Sequence, residues 1–108
     1  MFQSTAIAEV DAVTASQWLD AGNAVMIDIR EQVEHDDVRV PGITLNALSA
    51  FNPSALPNAT NKKLLILCHS GKRAGMLAQS LIADGSYDPV VVAGGIMAWR
   101  GAGLYQPA

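Results

Sequence analysis

The sequence predicts an α/β domain built on a mostly parallel sheet, and three observations carry that expectation. Short apolar runs alternate along the chain with stretches whose apolar residues recur at helical spacing. The apolar runs are continuous rather than alternating, as suits strands covered on both faces. The length of 108 residues accommodates one domain and little more. No repeat, low-complexity tract or linker interrupts residues 5–105, which are read as one unit. Half of the residues are apolar but only 6% are aromatic, so the core has to come from Val, Ile, Leu, Ala and Met.

In chain order, residues 6–10 are short and apolar enough for a first strand. Asp11 is placed to cap the helix that follows, with Trp18 and Leu19 on its inner side and Gly22 ending it. The run 24–29 is a buried strand, and the polar stretch 31–37 is a short helix or loop. Pro41-Gly42 punctuates the chain before a weaker strand at 43–48. Residues 52–61 hold two prolines and little apolar content and are read as a surface loop. Leu64-Leu65-Ile66-Leu67 is the strongest strand and stops at Cys68. From 73 to 84, Met76, Leu77, Leu81 and Ile82 fit a helix that Gly85 closes. Val90-Val91-Val92 is another buried strand, ended by Gly94-Gly95, and 96–102 is a last short helix.

Charge and cysteine content narrow the function. A net charge of -3 and a pI near 5.1 disfavour nucleic acid and a polybasic membrane contact. No apolar run approaches the roughly 20 residues that span a bilayer, and the opening residues lack a basic, then apolar, leader pattern. The single cysteine has no internal disulfide partner, so a reducing, cytoplasmic setting is expected. One Cys and two separated His offer no metal-ligand spacing, and neither a metal nor a cofactor is expected.

The chemistry concentrates at Cys68. In open parallel α/β sheets ligands bind beyond the carboxyl ends of the strands, and Cys68 stands there, between the strongest strand and the strongest helix. In Cys68-His69-Ser70-Gly71-Lys72-Arg73, Gly71 permits a positive φ, so the loop can curl with its N–H groups inward. The helix start near Arg73 directs its partial positive charge at the same spot. Lys72 and Arg73 add two formal charges. Each feature favours thiolate over thiol, and together they describe thiol chemistry on a small anionic substrate. His69 could tune the thiolate or simply be solvated.

These residues resemble the rhodanese family. The segment 68–73 is similar to the family's active-site loop, a cysteine, four residues and an arginine with a glycine inside. Asp28-Ile29-Arg30-Glu31 resembles its Asp-hydrophobic-Arg-acidic motif, and Gly94-Gly95-Ile96-Met97-Ala98-Trp99 with Ala102-Gly103-Leu104 resembles its C-terminal signature. The resemblance runs from Glu9 to Leu104. It implies a five-stranded parallel sheet flanked by helices. It also implies a reaction: Cys68 takes the outer sulfur of thiosulfate, polysulfide or a persulfide, holds it as Cys–S–SH, and passes it to a thiol or cyanide. Loop N–H groups from His69 to Arg73 would cradle the persulfide, and Lys72 and Arg73 would attract the donor. Cysteine phosphatases and arsenate reductases, by contrast, place five residues before their arginine, and the shorter loop here favours a sulfur atom over phosphate. Two departures stand out: Arg39-Val40-Pro41-Gly42 carries arginine where relatives usually have histidine, and Tyr105-Gln106-Pro107 follows Leu104 where relatives often continue directly with proline.

Other residues have two readings each. Asp28 either orients loop groups or accepts a proton, or it holds neighbouring backbone donors as a structural residue. Arg30 either lines the entrance or pairs with Glu31 or Glu34. Trp99, Met76 and Met97 are expected in the core, His35 as a solvated surface residue, and Lys62-Lys63 as protection of a sheet edge. Gly94 and Gly95 supply a tight turn, and their amides could border the pocket. Two alternatives to turnover remain open: a persulfide carrier or binding module docking on a protein partner, and a redox sensor oxidised at Cys68, for which this chain has no second cysteine to resolve the product.

Overall fold

A computed structural model describes residues 7–85 and 87–104. In chain order the elements are β1 (Glu9–Val10), α1 (Ala12–Asp20), β2 (Ala24–Asp28), α2 (Gln32–Asp37), β3 (Thr44–Leu45), two 3-10 turns (Leu48–Ala50 and Pro53–Ala55), β4 (Lys63–Leu67), α3 (Lys72–Asp84), β5 (Pro89–Val92) and α4 (Gly95–Gly101). The five strands form one sheet in the order β1-β5-β4-β2-β3, and every pairing is parallel. Parallel neighbours require crossovers, which explains the strand–helix alternation of the sequence.

The sheet has a packed layer on each face. In β4, Leu65 and Leu67 point to one side, where Ala12 and Ala15 of α1 and Ile96 and Trp99 of α4 cover them. Leu64 and Ile66 point to the other, against Ala74, Leu77, Ala78 and Leu81 of α3. All four strand residues are fully buried. Each contributes about 2 kcal/mol by leaving water, which is why β4 and its neighbours read as unbroken apolar runs. Asp11 caps α1 as expected, its Oδ1 accepting from the Thr14 N–H at 2.7 Å, and Gly85 closes α3 in the left-handed conformation, with φ 81.

Several expectations are corrected. The first strand covers only Glu9–Val10, and residue 6 lies outside the described residues. The strand expected at 43–48 shrinks to Thr44–Leu45, because Asn46 is diverted: its buried side chain clamps the 46–52 loop, donating to the Asn52 carbonyl and accepting from the Asn52 N–H, each at 2.9 Å. Within 52–61, Leu56 and Ala59 pack against the α3-side core, so this stretch is more than a surface loop. Lys63 opens β4, the middle strand, and pairs with Asp88 beside β5. It therefore protects no edge. Met76 and Met97 are 63% and 59% exposed, outside the core; helical spacing placed them correctly on α3 and α4 but not on the inner faces. Trp99, only 3% exposed, is in the core.

Candidate active site

The site is built where β2, β4 and β5 end and α2, α3 and α4 begin. Cys68 directly follows β4 and is 1% exposed. Its side chain shares the face of Leu64 and Ile66. The chain then turns over His69 and Ser70, both exposed, to Gly71, whose φ of 108 few other residues adopt. That turn brings the Gly71 N–H to 2.9 Å from Cys68 Sγ. Helix α3 starts at Lys72, so its first amides have no acceptor inside the helix and face the same region. A sulfur anion at Sγ therefore meets the Gly71 N–H at the start of α3.

The opposite wall is a backbone contact. The Ile96 N–H donates to the Cys68 carbonyl at 2.8 Å and the Met97 N–H to the His69 carbonyl at 3.4 Å. The start of α4 thus engages the Cys68 and His69 carbonyls, while the Gly71 N–H reaches Sγ. Close approach is possible only at Gly95, with φ 57: a Cβ there would lie 2.2 Å from the Cys68 oxygen and 2.6 Å from the His69 carbonyl carbon. The expectation that Gly94-Gly95 supplies a turn is met, and Gly95 also borders the cysteine loop, through its missing Cβ.

The charged residues are arranged differently from the sequence reading. Arg30 is 2% exposed and pairs with Asp28, its Nε donating at 3.0 Å and its NH2 at 2.8 Å. Its remaining N–H groups reach the carbonyls of Glu34, at 3.4 Å, and Val38. It forms no ion pair with Glu31 or Glu34. Asp28 is the structural anchor of this cluster and also accepts from the Arg30 N–H. Burial alone would push its carboxyl up, but hydrogen bonds from Arg30 and His35 outweigh burial and hold it below the usual aspartate range. His35 places Nδ1 2.9 Å from Asp28 Oδ2 with its side chain 14% exposed. The expected surface histidine is thus tucked into the cluster, because α2 folds back over the end of β2.

Arg73 is the largest surprise. Its guanidinium meets Glu34 of α2 in a bidentate pair, NH1 to Oε1 at 2.9 Å and NH2 to Oε2 at 3.0 Å. The hydrogen bond from Arg73 holds the Glu34 carboxyl down to about 2. Arg73 is in turn raised above its ordinary value, first by that hydrogen bond, against some burial, and then by the charges of Glu34, Cys68 and Glu31. Glu34 also accepts from the Glu31 N–H at 2.9 Å at the start of α2. These partners are 39 residues apart, beyond any local pattern, so only the fold reveals them. Lys72 is exposed, and among the described residues no acid pairs with it.

Beside the loop lies a depression of about 180 Å³ between α2 and α4, lined by Glu34, Asp37, Val38, His69, Ile96 and Met97, with Arg30 and Arg100 at its walls. A larger hollow of about 830 Å³, around Trp18, Asn61, Lys63 and Asp88, sits at the other end of the strands, away from Cys68. The chemistry-bearing residues decide the site here, not the volume.

A family model of the rhodanese-like domain matches residues 11–102. This chain belongs to the rhodanese-like domain family. Among its curated relatives, the rhodanese-like domain is 32% identical over 91 residues to an uncharacterised protein of Synechocystis sp., covering 84% of this chain and 51% of that protein. It is 26% identical over 99 residues to YrkF of Bacillus subtilis, provisionally named a sulfur carrier protein, covering 91% and 54%. It is 32% identical over 87 residues to MoeZ of Mycobacterium tuberculosis, provisionally named an adenylyltransferase/sulfurtransferase, covering 76% and 22%. The chain spans about half the length of the first two relatives and under a quarter of the third.

Solved rhodanese-like structures share the fold. A rhodanese-related protein of Thermoplasma volcanium superposes with a TM-score of 0.74 at 20% identity, covering 92% of this chain and 95% of that one. A rhodanese-like domain protein of Staphylococcus aureus gives 0.68 at 24%, covering 86% and 91%. A Rhodopseudomonas palustris protein of unknown function, with tyrosine phosphatase offered in its description, gives 0.74 at 22%, covering 95% and 96%. At such identities the likeness shows the fold alone and says nothing about phosphatase chemistry.

Proposed function

We propose that this domain, working as residues 5–105, transfers sulfane sulfur through a persulfide on Cys68 in a compartment that keeps the thiol reduced. The observation that carries the reading is the Gly71 N–H at 2.9 Å from Sγ, at the strand end where α3 begins. Family membership and relatives named for sulfur carriage and sulfurtransfer support it.

In the first half-reaction the Cys68 thiolate attacks the outer sulfur of the donor. A bond forms from Sγ to that sulfur, and the bond from the sulfur to the rest of the donor breaks, its electron pair leaving as sulfite from thiosulfate or as thiolate from a persulfide. In the second, a thiolate or cyanide attacks the outer sulfur and the Cys68 thiolate departs. The inward N–H groups of residues 69–73 stabilise the sulfur anion in both steps. With Cys68 almost fully buried, only a small atom projecting from the donor reaches Sγ, which suits a terminal sulfur better than a phosphate ester. Lys72 draws in the anion; Asp28 and Arg30 brace α2, whose Glu34 meets Arg73 of the loop.

Intact mass of the reduced protein after incubation with donor tests this. One added sulfur atom, removed by cyanide and absent in Cys68→Ser, is the expected result. No gain with thiosulfate, polysulfide or an organic persulfide would overturn it. The B. subtilis relative's naming as a sulfur carrier favours a second reading, in which Cys68 loads but hands sulfur only to a partner protein. Loading without release to small acceptors would select that version.

A further inference from the structure

The three helices that begin at the Cys68 end of the sheet carry an unexpected surface. Among the described residues, the exposed large hydrophobics are Val13, Val33, Met76 and Met97. Three of these four stand in the first or second turn of α2, α3 and α4. Met97 also lines the depression beside His69, with Val38 and Ile96. An exposed methionine beside Val38 and Ile96, next to His69, offers an apolar seat for a carbon-bearing donor.

Two of the cations at the same rim are paired. Arg73 is cancelled by Glu34 in a two-pronged pair, and Arg30 by Asp28. Asp37 adds a negative charge on the wall of the depression. Lys72 is the loop cation without an acid partner among the described residues. A mouth built for a compact dianion would present uncompensated cations, because a doubly charged ligand gains twice as much from each of them. Among the described residues, the cysteine loop presents one, Lys72.

Resting on the sulfur-transfer reading, we propose that Glu34 is a specificity-determining residue: by cancelling Arg73 it makes the site select singly charged sulfur donors with an organic group over dianionic thiosulfate, the organic group resting on Met97, Val38 and Ile96. An organic thiosulfonate shows the balance. The Cys68 thiolate and R–SO₂–S⁻ give Cys68–S–S⁻ and the sulfinate R–SO₂⁻; the Sγ–S bond forms as the S–S bond of the donor breaks, and the sulfinate takes the electron pair. Thiosulfate loads in the same way with sulfite as leaving group, so the two donors differ at the mouth by one charge and one carbon group.

The test is kcat/KM for sulfur transfer to cyanide from thiosulfate, methanethiosulfonate and benzenethiosulfonate, with melting curves confirming that each variant is folded. The ratio of methanethiosulfonate to thiosulfate, measured against wild type, is the readout, which removes the intrinsic reactivity of the donors. Glu34→Gln keeps the shape and frees the Arg73 charge, and is expected to move the ratio toward thiosulfate by roughly three- to tenfold, mainly through KM and less at high salt. Asp37→Asn, exposed on the same wall, is expected to move it the same way by a smaller factor. Met97→Ser is expected to lower the preference for the benzene over the methane compound by about threefold. A purely structural role of the Glu34–Arg73 pair would lower turnover on both donors alike; an unchanged ratio in both Glu34→Gln and Asp37→Asn overturns the proposal. If wild type loads from no donor, the sulfur-transfer reading itself falls, a result distinct from an unchanged ratio.

Discussion

At the residue scale, the candidate site depends on a few atoms whose positions have separable causes. Gly95 is the sharpest case. Its missing Cβ is what allows the start of α4 to grip the Cys68 and His69 carbonyls. Gly95→Ala is expected to push that backbone contact apart and slow persulfide loading on the order of 100-fold, since ångström-scale misplacement of a reacting group has that effect. Alkylation of Cys68 by iodoacetamide gives a second measure, independent of sulfur transfer. Arg30 makes a different contribution. It lies buried against Asp28 and the carbonyls of Glu34 and Val38, so Arg30→Leu leaves a buried carboxylate without its main partner. Urea unfolding should show a loss of about 3–5 kcal/mol, the usual cost of stranding one member of a buried pair.

At the element scale, α2 and α3 are held together across the mouth by Glu34 and Arg73. The short α2 has no buried residue of its own; besides this pair, Arg30 holds the Glu34 and Val38 carbonyls and Asp28 holds His35. Glu34 titrates at about 2 in the folded chain against an ordinary 4.5. The unfolded chain therefore binds the proton first as pH falls. The pair's contribution is complete above about pH 4.5 and disappears as pH drops toward 2. Chemical denaturation at about pH 5 and pH 2 should show wild type losing more stability on acidification than Glu34→Gln, which lacks this carboxylate. Equal losses would mean that the pair contributes nothing measurable, as many exposed pairs do.

At the scale of the whole molecule, the sheet and its two covering layers are the source of stability, and the rim contributes little. Leu65→Ala empties a fully buried site between β4 and the α1–α4 layer. It is expected to cost about 3 kcal/mol by thermal or urea unfolding, within the range of about 2–5 kcal/mol for such truncations. The parallel order β1-β5-β4-β2-β3 puts β4 in the middle, so Cys68 emerges with a strand on either side. Neighbouring strand ends, β2 and β5, then deliver α2 and α4 to the two sides of its loop. The central strand thus carries both the firmest part of the core and the candidate nucleophile.

The division between sequence and tertiary structure follows the range of the forces involved. Strands and helices were legible because continuous apolar runs and helical spacing reflect burial on one or two faces. Asp11, Gly71 and Gly85 were legible because caps and positive φ are local demands on single residues. The cysteine loop could be recognised because its donors lie within six consecutive residues. What pattern alone did not reveal was decided between distant segments. Arg73 faces Glu34, His35 turns in to Asp28, Lys63 belongs to the middle strand, and Met76 and Met97 face outward. Periodicity states that a residue lies on a helix, but the inner face is set by what packs against it, and the partner of a charge by which chain ends meet. The sequence by itself placed Cys68 between its strongest strand and a helix that opens with two cations; the tertiary structure alone decided which charges surround it, because ion pairing acts through space and leaves no local pattern.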